Sequence, residues 1–481
     1  MSYNFLRPRS ERKYLHYRTF EFTKLWLRFD DNLINGVFHL ILNQRRTTLQ
    51  ISIRRATLAC SLMAALTLAA VSPCFAESGK EGDGAARKPM ELGADGLPKY
   101  HHMFDNGLYS TVTAMYYCGT PPEYMKTNVH QGTVQVPGFA KPMAVTYVKQ
   151  SFPAPLVVVL LGGDGEVKGP FGDLYPYWYG HAGFNVLTFD SAFTPRFPDV
   201  ANNGVVGNFE KDTEAAVAII DAYMKQNDPK SFTRVGVVGM SFGGSEALIM
   251  ATMAKQGKLP FELTGCLAFS PPIKLLSTAQ LIDGYYKNDR QNTTMIELGK
   301  KFGNHTPVGE GQPVPFKESD MRGALGYAFR DQLKAVVDRN DRVYGLNMLP
   351  KAGGGEDRNQ YAEATSLQRF IELYTAKYWV QKGAVANSAE IWSMPNIDRL
   401  LPNLPDWAEI VIAENDPLNK IDDLSMLKSI DGGKHVTVLP TGGHLGMITS
   451  EWALIKAHHF FDKAAGPDHP VVKPASVEVK Q

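Results

Sequence analysis

The stretch VGVVGMSFGG, residues 235–244, decides the fold class of this 481-residue chain. Its β-branched start predicts a buried strand, and the apolar spacing over residues 246–253 predicts a helix shortly afterwards. Gly239 and Gly243 have no Cβ, so the backbone can crowd between the two elements and leave the hydroxyl of Ser241 exposed at the end of a sheet. The stretch therefore indicates a reactive serine on a strand-to-helix turn; the alternative is a serine that only caps the helix.

The segments before this turn alternate between strand and helix patterns. Residues 131–136 and 143–149 alternate apolar and polar side chains, which is typical of half-buried strands. Residues 156–161 and 185–190 are apolar almost throughout, as in strands that are covered on both faces. An amphipathic helix over residues 211–225 then leads to the strand before the serine. The alternation predicts an α/β fold with a doubly wound, mostly parallel sheet.

The rhythm of the sequence changes after the next apolar run, residues 266–269. Buried strand patterns are missing from residues 274–395, where helical patterns are separated by turns, so we predict an inserted helical cap there. Strand patterns return at residues 409–413 and 436–439 and complete the sheet. The aromatic segment over residues 100–124 gives no clear prediction.

Two further side chains have positions that suit a catalytic serine. A serine hydroxyl is a weak nucleophile at neutral pH and needs a base, which a third group orients. Asp416 follows the strand at 409–413, and His444 lies in the glycine-rich loop after the last strand. Because the carboxyl ends of parallel strands meet at one edge of a sheet, we expect Asp416 and His444 to reach Ser241. Glu414 is the reserve candidate for the acid, and the plainer alternatives are an Asp-Pro turn and an ordinary loop histidine.

At these residues the sequence resembles the α/β-hydrolase superfamily. GMSFG (residues 239–243) matches its nucleophile elbow, and NDP (415–417) and GGH (442–444) match its acid and histidine loops. The resemblance covers about residues 130–273 and 396–463. In outline the chain is similar to esterases and serine-aminopeptidase-like members of the superfamily that carry a helical cap. It implies a serine hydrolase whose Ser-His-Asp triad is formed by the three residues above.

Acyl transfer also requires N–H donors for the negative charge that develops on the carbonyl oxygen. The amide of Phe242, at the start of the predicted helix, is one candidate. We expect the loop after Leu161 to supply the other donor, from Asp164 or else from Gly163. Many superfamily members have His-Gly in this loop where this chain has Gly162-Gly163-Asp164, and a carboxylate beside an oxyanion is unfavourable unless it points away.

Composition and charge narrow the class of protein. With 44% hydrophobic residues the chain can bury a sizeable core, and its formal net charge is +1. Residues 1–76 hold 11 of the basic and 4 of the acidic residues, so the remainder is slightly acidic and gives no reason to expect a nucleic-acid partner. Cys118 and Cys266 could form one disulfide in an oxidising compartment, although the apolar run around Cys266 is typical of a buried thiol.

The N-terminal region has the pattern of an export signal. Arg54 and Arg55 precede a small, apolar run over residues 56–71, and small residues follow up to Ala76. We predict a signal peptide cleaved after Ala76, and therefore a periplasmic or secreted protein. Signal peptides begin at the initiator, so we interpret residues 1–50 as translated from a start codon placed too far upstream. The alternative is a cytoplasmic tail on a signal anchor, which the short apolar run disfavours.

These patterns divide the chain. The predicted divisions are an upstream extension (1–50), a signal peptide (51–76), a flexible leader (77–99), the first part of the hydrolase core (100–273), the cap (274–395), the second part of the core (396–465) and a tail (466–481).

The sequence predicts an exported enzyme that attacks an acyl carbonyl and needs neither metal nor cofactor. The expected partner is a small-molecule or short-peptide acyl substrate, with no membrane association after signal cleavage; the oligomeric state is open. An ester is favoured because the cap is rich in aromatic side chains. The first alternative is a peptidase or amidase, for which the cap offers four carboxylates: Glu297, Glu318, Asp320 and Asp331. The second is a non-catalytic ligand-binding protein on the same scaffold.

Overall fold

The computed structural model describes residues 97, 99–101, 104–117, 128–163, 165–289, 313–350 and 357–465. The predicted upstream extension, signal peptide and tail lie outside the described residues, as does most of the leader. Within the described ranges, no helix has both the length and the apolar character needed to cross a membrane.

A single sheet of eight strands forms the centre of the protein. The strands are β1 (Val129–Val134), β2 (Met143–Val148), β3 (Ala154–Leu160), β4 (Asn185–Phe189), β5 (Phe232–Met240), β6 (Leu263–Phe269), β7 (Ala408–Ala413) and β8 (Val436–Leu439). Their order is β1-β2-β4-β3-β5-β6-β7-β8. β2 runs antiparallel to β1 and β4, and the other neighbouring pairs are parallel. The predicted doubly wound, mostly parallel sheet is confirmed.

Helices surround the sheet and fill the insertion after β6. They are α1 (Gly107–Tyr117), α2 (Pro170–His181), α3 (Phe197–Ala201), α4 (Phe209–Gln226), α5 (Phe242–Lys255), α6 (Leu275–Asp289), α7 (Glu318–Val343), α8 (Arg358–Ala364), α9 (Leu367–Phe370), α10 (Lys377–Gln381), α11 (Ser388–Ser393), α12 (Ile397–Leu400), α13 (Ile421–Asp431) and α14 (Glu451–Ala465). A π-helical turn, Ile371–Ala376, joins α9 to α10.

Both faces of the sheet are covered, because successive side chains of a strand point to opposite sides. On β3, Leu156 and Val158 pack in the cluster that includes α4 and α5, whereas Val157 and Val159 pack in the cluster that includes α2 and α14. Every residue of β3 is buried. Burial on two faces accounts for the unbroken apolar run in the sequence.

The insertion between β6 and β7 is helical throughout its described residues, from α6 to α12. Three side chains of this cap donate hydrogen bonds to core backbone: Thr375 Oγ1 to Val206 O (2.7 Å), Trp379 Nε1 to Val205 O (2.7 Å) and Gln332 Nε2 to Phe193 O (3.3 Å). These bonds fasten the cap above the carboxyl ends of the parallel strands.

Helix α1 is the element that the sequence did not predict. Its residues GLYSTVTAMYY combine glycine, serine and two threonines, which are weak helix formers, with no clear amphipathic period. The helix is stabilised by packing instead: Tyr109 and Val112 lie in a buried cluster with Met321 and Leu325 of α7. α1 therefore lies against the cap, although it precedes the sheet in sequence.

Candidate active site

The turn between β5 and α5 holds Ser241 in an unusual backbone conformation. Its φ of 53° and ψ of −120° are costly for a residue with a side chain. The flanking glycines make the turn possible: a Cβ on Gly239 would lie 2.6 Å from the carbonyl carbon of Gly243, and one on Gly243 would lie 2.6 Å from that of Leu160. The backbone approaches itself and β3 too closely for any larger residue at these two positions.

The structure brings together the three residues predicted to form a triad. The Ser241 hydroxyl donates to Nε2 of His444 at 2.9 Å. Nδ1 of His444 lies 3.0 Å and 3.2 Å from the two carboxylate oxygens of Asp416. Because Asp416 can only accept, Nδ1 carries the ring proton and Nε2 is left free to accept the serine proton. All three residues are at most 5% exposed, so water competes little for these bonds.

Asp416 is held firmly by the loop after β7. Its Oδ1 accepts from the Leu418 amide at 2.8 Å, and its Oδ2 accepts from Asn419 Nδ2 at 3.1 Å. These bonds fix the carboxylate plane that faces the histidine. Glu414, the reserve candidate, instead forms an exposed ion pair with Lys428 at 2.9 Å. The alternative assignment of the acid to Glu414 is therefore not supported by the geometry.

The histidine loop after β8 is held by residues from the start of the described chain. The His444 amide donates to Thr111 Oγ1 at 2.7 Å, and Ser110 Oγ donates to Gly442 O at 2.8 Å. Tyr100 Oη donates to the carbonyl of Thr441 at 2.9 Å. Nothing in the local sequence points to a role for any of these three side chains. Only their position next to the histidine in space reveals them.

The acid loop and the histidine loop are also joined directly. Asn415 Oδ1 accepts from the Gly443 amide at 2.9 Å, while Asn415 Nδ2 donates to the Asp105 carbonyl at 2.7 Å. Gly443 has a φ of 58°, and a Cβ there would lie 2.6 Å from Thr111 Oγ1. The glycine that precedes the histidine thus permits the close approach to α1.

Of the predicted oxyanion donors, the structure describes Phe242 and Gly163 but not Asp164. Phe242 opens α5, so its amide is one of the N–H groups at a helix N-terminus that lack an intrahelical acceptor. The loop after β3 crosses the elbow: a Cβ on Gly162 would lie 3.3 Å from Ser241 Cβ, and one on Gly163 would lie 3.0 Å from the Phe242 ring. Asp164 lies outside the described residues. Gly163 is therefore the described candidate for the second donor.

A small cavity lies between this loop and the cap. Its volume is about 20 Å³, room for little more than one water molecule. Phe193, Phe242 and Gly163 of the core line it, facing Phe329 and Leu333 of α7. Four aromatic side chains of the cap do not line it and are buried in the interior instead: Phe370, Tyr374, Trp379 and Trp392.

The cap carboxylates near this cavity are engaged in ion pairs. Asp283 lies 2.9 Å from Arg330 Nη2 and also accepts from the amides of Leu367 and Gln368.

Tyr285 Oη donates to the Pro417 carbonyl at 2.7 Å and so ties α6 to the acid loop. Burial raises the pKa of Tyr285 to about 12, so this phenol stays protonated as a donor.

Two buried acids behind the elbow were not identified from the sequence. Asp212 on α4 and Glu246 on α5 line a second small cavity. Burial raises the pKa of Asp212 to about 8, and burial together with the neighbouring Asp212 raises that of Glu246 well above its ordinary value. One oxygen of Asp212 accepts from the Gly207 amide at 2.8 Å. Protonation of these acids avoids two uncompensated charges in the core.

Asp190 and Cys266 lie in the interior, where they support the fold rather than the candidate active site. Asp190, which follows β4, accepts from the Val167 amide at 2.9 Å. Cys266 is a buried free thiol whose pKa is raised by burial, and Cys118 lies outside the described residues. Across the described ranges, no group of three or more His, Cys, Asp or Glu side chains is arranged to hold a metal ion.

No family model matches the sequence, and no curated protein matches it. Among solved structures, an esterase from Pyrococcus furiosus shares 13% identity over 72% of this chain and 95% of that chain, with a TM-score of 0.41. A carboxylesterase cloned from a metagenomic library shares 13% identity over 76% and 96% of the two chains, with a TM-score of 0.39. An acylaminoacyl peptidase from Pyrococcus horikoshii shares 11% identity over 70% and 41%, with a TM-score of 0.36. These similarities are too low to bear on activity.

The fold follows from the chain's own architecture. A glycine-lined elbow connects β5 to α5, and the acid and histidine loops follow β7 and β8 at the same edge of a doubly wound sheet. The helical insertion lies between β6 and β7, above that edge. This combination of sheet, elbow and chain order of serine, acid and histidine confirms what the sequence resemblance predicted: the described chain has the α/β-hydrolase fold.

Proposed function

We propose that this protein is a serine hydrolase that cleaves a carboxylic ester through an acyl-enzyme. The observation that carries the proposal is the hydrogen bond from Ser241 Oγ to His444 Nε2 at 2.9 Å. The other ring nitrogen of His444, Nδ1, is bonded to Asp416, so the three side chains form one continuous chain of hydrogen bonds. A hydroxyl placed in this way loses its proton to the imidazole as it attacks, and the carboxylate stabilises the imidazolium that forms.

The reaction uses each group twice. Ser241 Oγ attacks the acyl carbonyl while His444 Nε2 takes its proton, and the amide of Phe242 donates to the oxygen that becomes negative. When the intermediate collapses, the ester C–O bond breaks and His444 returns the proton to the leaving alcohol. Water, deprotonated by the same imidazole, then attacks the acyl-enzyme, and the carboxylic acid leaves as Ser241 regains its proton.

An ester is favoured over an amide by the surroundings of the elbow. The cavity beside Phe242 is lined mainly by apolar side chains, which suit the hydrocarbon part of an acyl group. A peptidase that binds a free N-terminus would need an unpaired carboxylate in the cap. Of the four carboxylates weighed for that role, Glu318 pairs with Arg322 of α7, and Glu297 lies outside the described residues. Asp320 is buried, and Asp331 is exposed on α7. An amide or short-peptide substrate remains the alternative outcome of the test.

Substrate entry requires the cap or a neighbouring loop to move. Ser241 is 4% exposed, and it does not line the small cavity beside its neighbour Phe242. The cap is tied to the core near Val205 and Val206, through Trp379 and Thr375. The cap is also tied to the core through Gln332 of α7 and Tyr285 of α6, so access to Ser241 requires at least one of these contacts to open.

The test combines an active-site probe with a pair of matched serines. A fluorophosphonate should label the protein, and Ser241→Ala should abolish labelling and lower kcat by at least about 10³-fold. Ser245→Ala is the control, because Ser245 lies in the first turn of the helix that follows Ser241, and its buried hydroxyl has no hydrogen-bond partner among the described residues. Unlabelled but folded wild-type protein would favour the non-catalytic ligand-binding alternative.

Substrate class is tested separately. p-Nitrophenyl esters of increasing acyl length should be hydrolysed faster than aminoacyl anilides, with kcat/KM as the measure. Faster cleavage of the anilides would overturn the ester assignment in favour of the peptidase. Neither substrate set requires an added metal or cofactor under the proposed mechanism.

We also propose that the protein is exported to the periplasm or beyond, on the strength of the signal pattern over residues 51–76. The mature chain would then begin at Glu77. Mass spectrometry of the protein from its native cells tests both this cleavage and the proposed late start. A precursor that carries residues 1–50 would overturn the start-codon interpretation, and a mature chain that retains residues 51–76 would overturn export by cleavage.

A further inference from the structure

We propose that Thr111, on helix α1, is a positioning residue for His444, and that α1 is needed for the reactivity of the serine although it lies outside the sheet. The inference rests on the proposed function, since it concerns how fast that chemistry runs. Thr111 touches neither the serine nor the acid; it acts through the backbone of the histidine.

The contact has a fixed direction. Thr111 Oγ1 donates its proton to the carbonyl of Gly107, one turn earlier in α1, at 2.7 Å. The lone pairs of the same oxygen are therefore directed outward and accept from the His444 amide at 2.7 Å. Thr111 is 1% exposed, so no water is in position to replace it as the acceptor.

The histidine loop needs such an external hold. Gly442 has a φ of 126° and Gly443 a φ of 58°, and Leu445 on the other side of the histidine has a φ of 63°. Glycines leave the loop many conformations to choose from, and a left-handed leucine adds strain. Hydrogen bonds from α1 select the one conformation that places the imidazole between Ser241 and Asp416.

The opposite side of α1 is held by the cap. Tyr109 and Val112 pack against Met321, Ala324 and Leu325 of α7 in a buried cluster. α1 is therefore wedged between the cap and the histidine loop, and it cannot shift in either direction without losing contacts. This wedge explains how a helix built from weak helix formers can position a loop accurately.

The experiment compares two threonines of the same helix. Thr111→Val keeps the side-chain volume but removes the acceptor, and it should lower kcat on the order of 10-fold or more because the histidine is displaced. KM should change less than about 2-fold, since the substrate pocket is untouched. Thr113→Val is the matched control: within the described part of the chain the buried hydroxyl of Thr113 makes no hydrogen bond, and the variant should retain wild-type kcat.

Two further measurements separate positioning from a general loss of structure. Thr111→Ser, which retains the hydroxyl, should restore most of kcat, and the fluorophosphonate labelling rate of Thr111→Val should fall in parallel with kcat while the thermal unfolding midpoint stays near that of Thr113→Val. Equal kcat in the two valine variants would overturn the proposal, as would a serine variant no better than valine. If wild-type protein hydrolyses no ester and is not labelled, the proposed function fails instead.

Discussion

The nucleophile elbow and the histidine loop meet at one hydrogen bond but are built in different ways. The elbow is local: the glycines that allow its strained turn lie two residues on either side of Ser241, and the strand and helix that it joins are continuous with it. The histidine loop is held from elsewhere, by α1 and by Asn415. The Thr111–His444 bond joins residues 333 apart in the chain.

This difference shows that Ser241 and the histidine bonded to it depend on different parts of the sequence. A change in the elbow alters the geometry of the nucleophile by itself. A change in any of several distant segments alters the base while leaving the serine in place. Mutations should therefore fall into two groups. Those in the elbow should lower both the stability of the fold and the activity, whereas those around the histidine loop should lower activity while the protein stays folded.

The largest effect is expected for Gly243→Ala. The added Cβ would lie 2.6 Å from the Leu160 carbonyl carbon of β3, and backbone cannot yield there as a flexible side chain would. We expect a loss of more than about 3 kcal/mol in the free energy of unfolding, together with loss of activity. Urea unfolding measures the first and ester hydrolysis the second.

Gly284→Ala serves as the control for that variant. Gly284 lies in α6 with nothing within 4 Å of an added Cβ, so alanine should be neutral or stabilise by up to about 1 kcal/mol. A Gly243→Ala protein as stable and active as Gly284→Ala would show that the elbow is not constrained as described.

A smaller effect, confined mainly to activity, is expected for Asn415→Ala. It removes the acceptor for the Gly443 amide and the donor to the Asp105 carbonyl, which should lower kcat on the order of 10-fold and stability by about 1–2 kcal/mol. Asn396→Ala is the matched control, because Asn396 also accepts from a backbone amide, that of Leu275, but in the cap. Equal kcat in the two variants, at similar stability, would contradict a role for Asn415 at the histidine loop.

The smallest effect on activity is expected for the acids behind the elbow, because their protonation bears on stability. In the folded protein, burial raises the pKa of the Asp212 carboxyl to about 8, whereas in the unfolded chain its pKa is near that of an ordinary aspartate. The unfolded chain thus binds fewer protons between these values, so stability falls as the pH rises through this window, by at most about 1.4 kcal/mol per pH unit for this group. Asp212→Asn cannot ionise and should lose part of this decline.

Thermal unfolding midpoints at pH 5.5 and pH 8.5 provide the measurement. The difference between the two midpoints should be smaller in Asp212→Asn than in wild-type protein. Asp221→Asn is the control, since Asp221 lies in the same helix but forms a surface ion pair with Lys225 at 2.7 Å. If both variants keep the wild-type difference, Asp212 does not hold its proton in the fold.

Local patterns made much of this architecture predictable. The run over residues 156–161 appears as β3, and the helix predicted over residues 211–225 appears as α4. The placement of Ser241, Asp416 and His444 at one edge followed from parallel strands and chain order alone. Their catalytic roles remain predictions, and the proposed signal and late start concern residues outside the described part of the chain.

Features that depend on distant contacts were not predictable. α1 has no amphipathic period and forms because the cap packs on one side of it and the histidine loop on the other. The protonation of Asp212 depends on burial against α5, and nothing in its neighbouring sequence distinguishes it from a surface acid. Burial and packing of a residue can be predicted from a local sequence pattern only when its contacts are with residues close to it in the chain.

The bond between Thr111 and His444 also sets an order of events during synthesis. The ribosome makes α1 before the sheet, and it makes the loop that α1 must hold 333 residues after Thr111. The parallel strands that carry the serine can pair before then, because their partners are already present. The growing polypeptide therefore contains Ser241 long before His444, so the proposed hydrolase can become active only after the histidine loop has been made and has packed on α1.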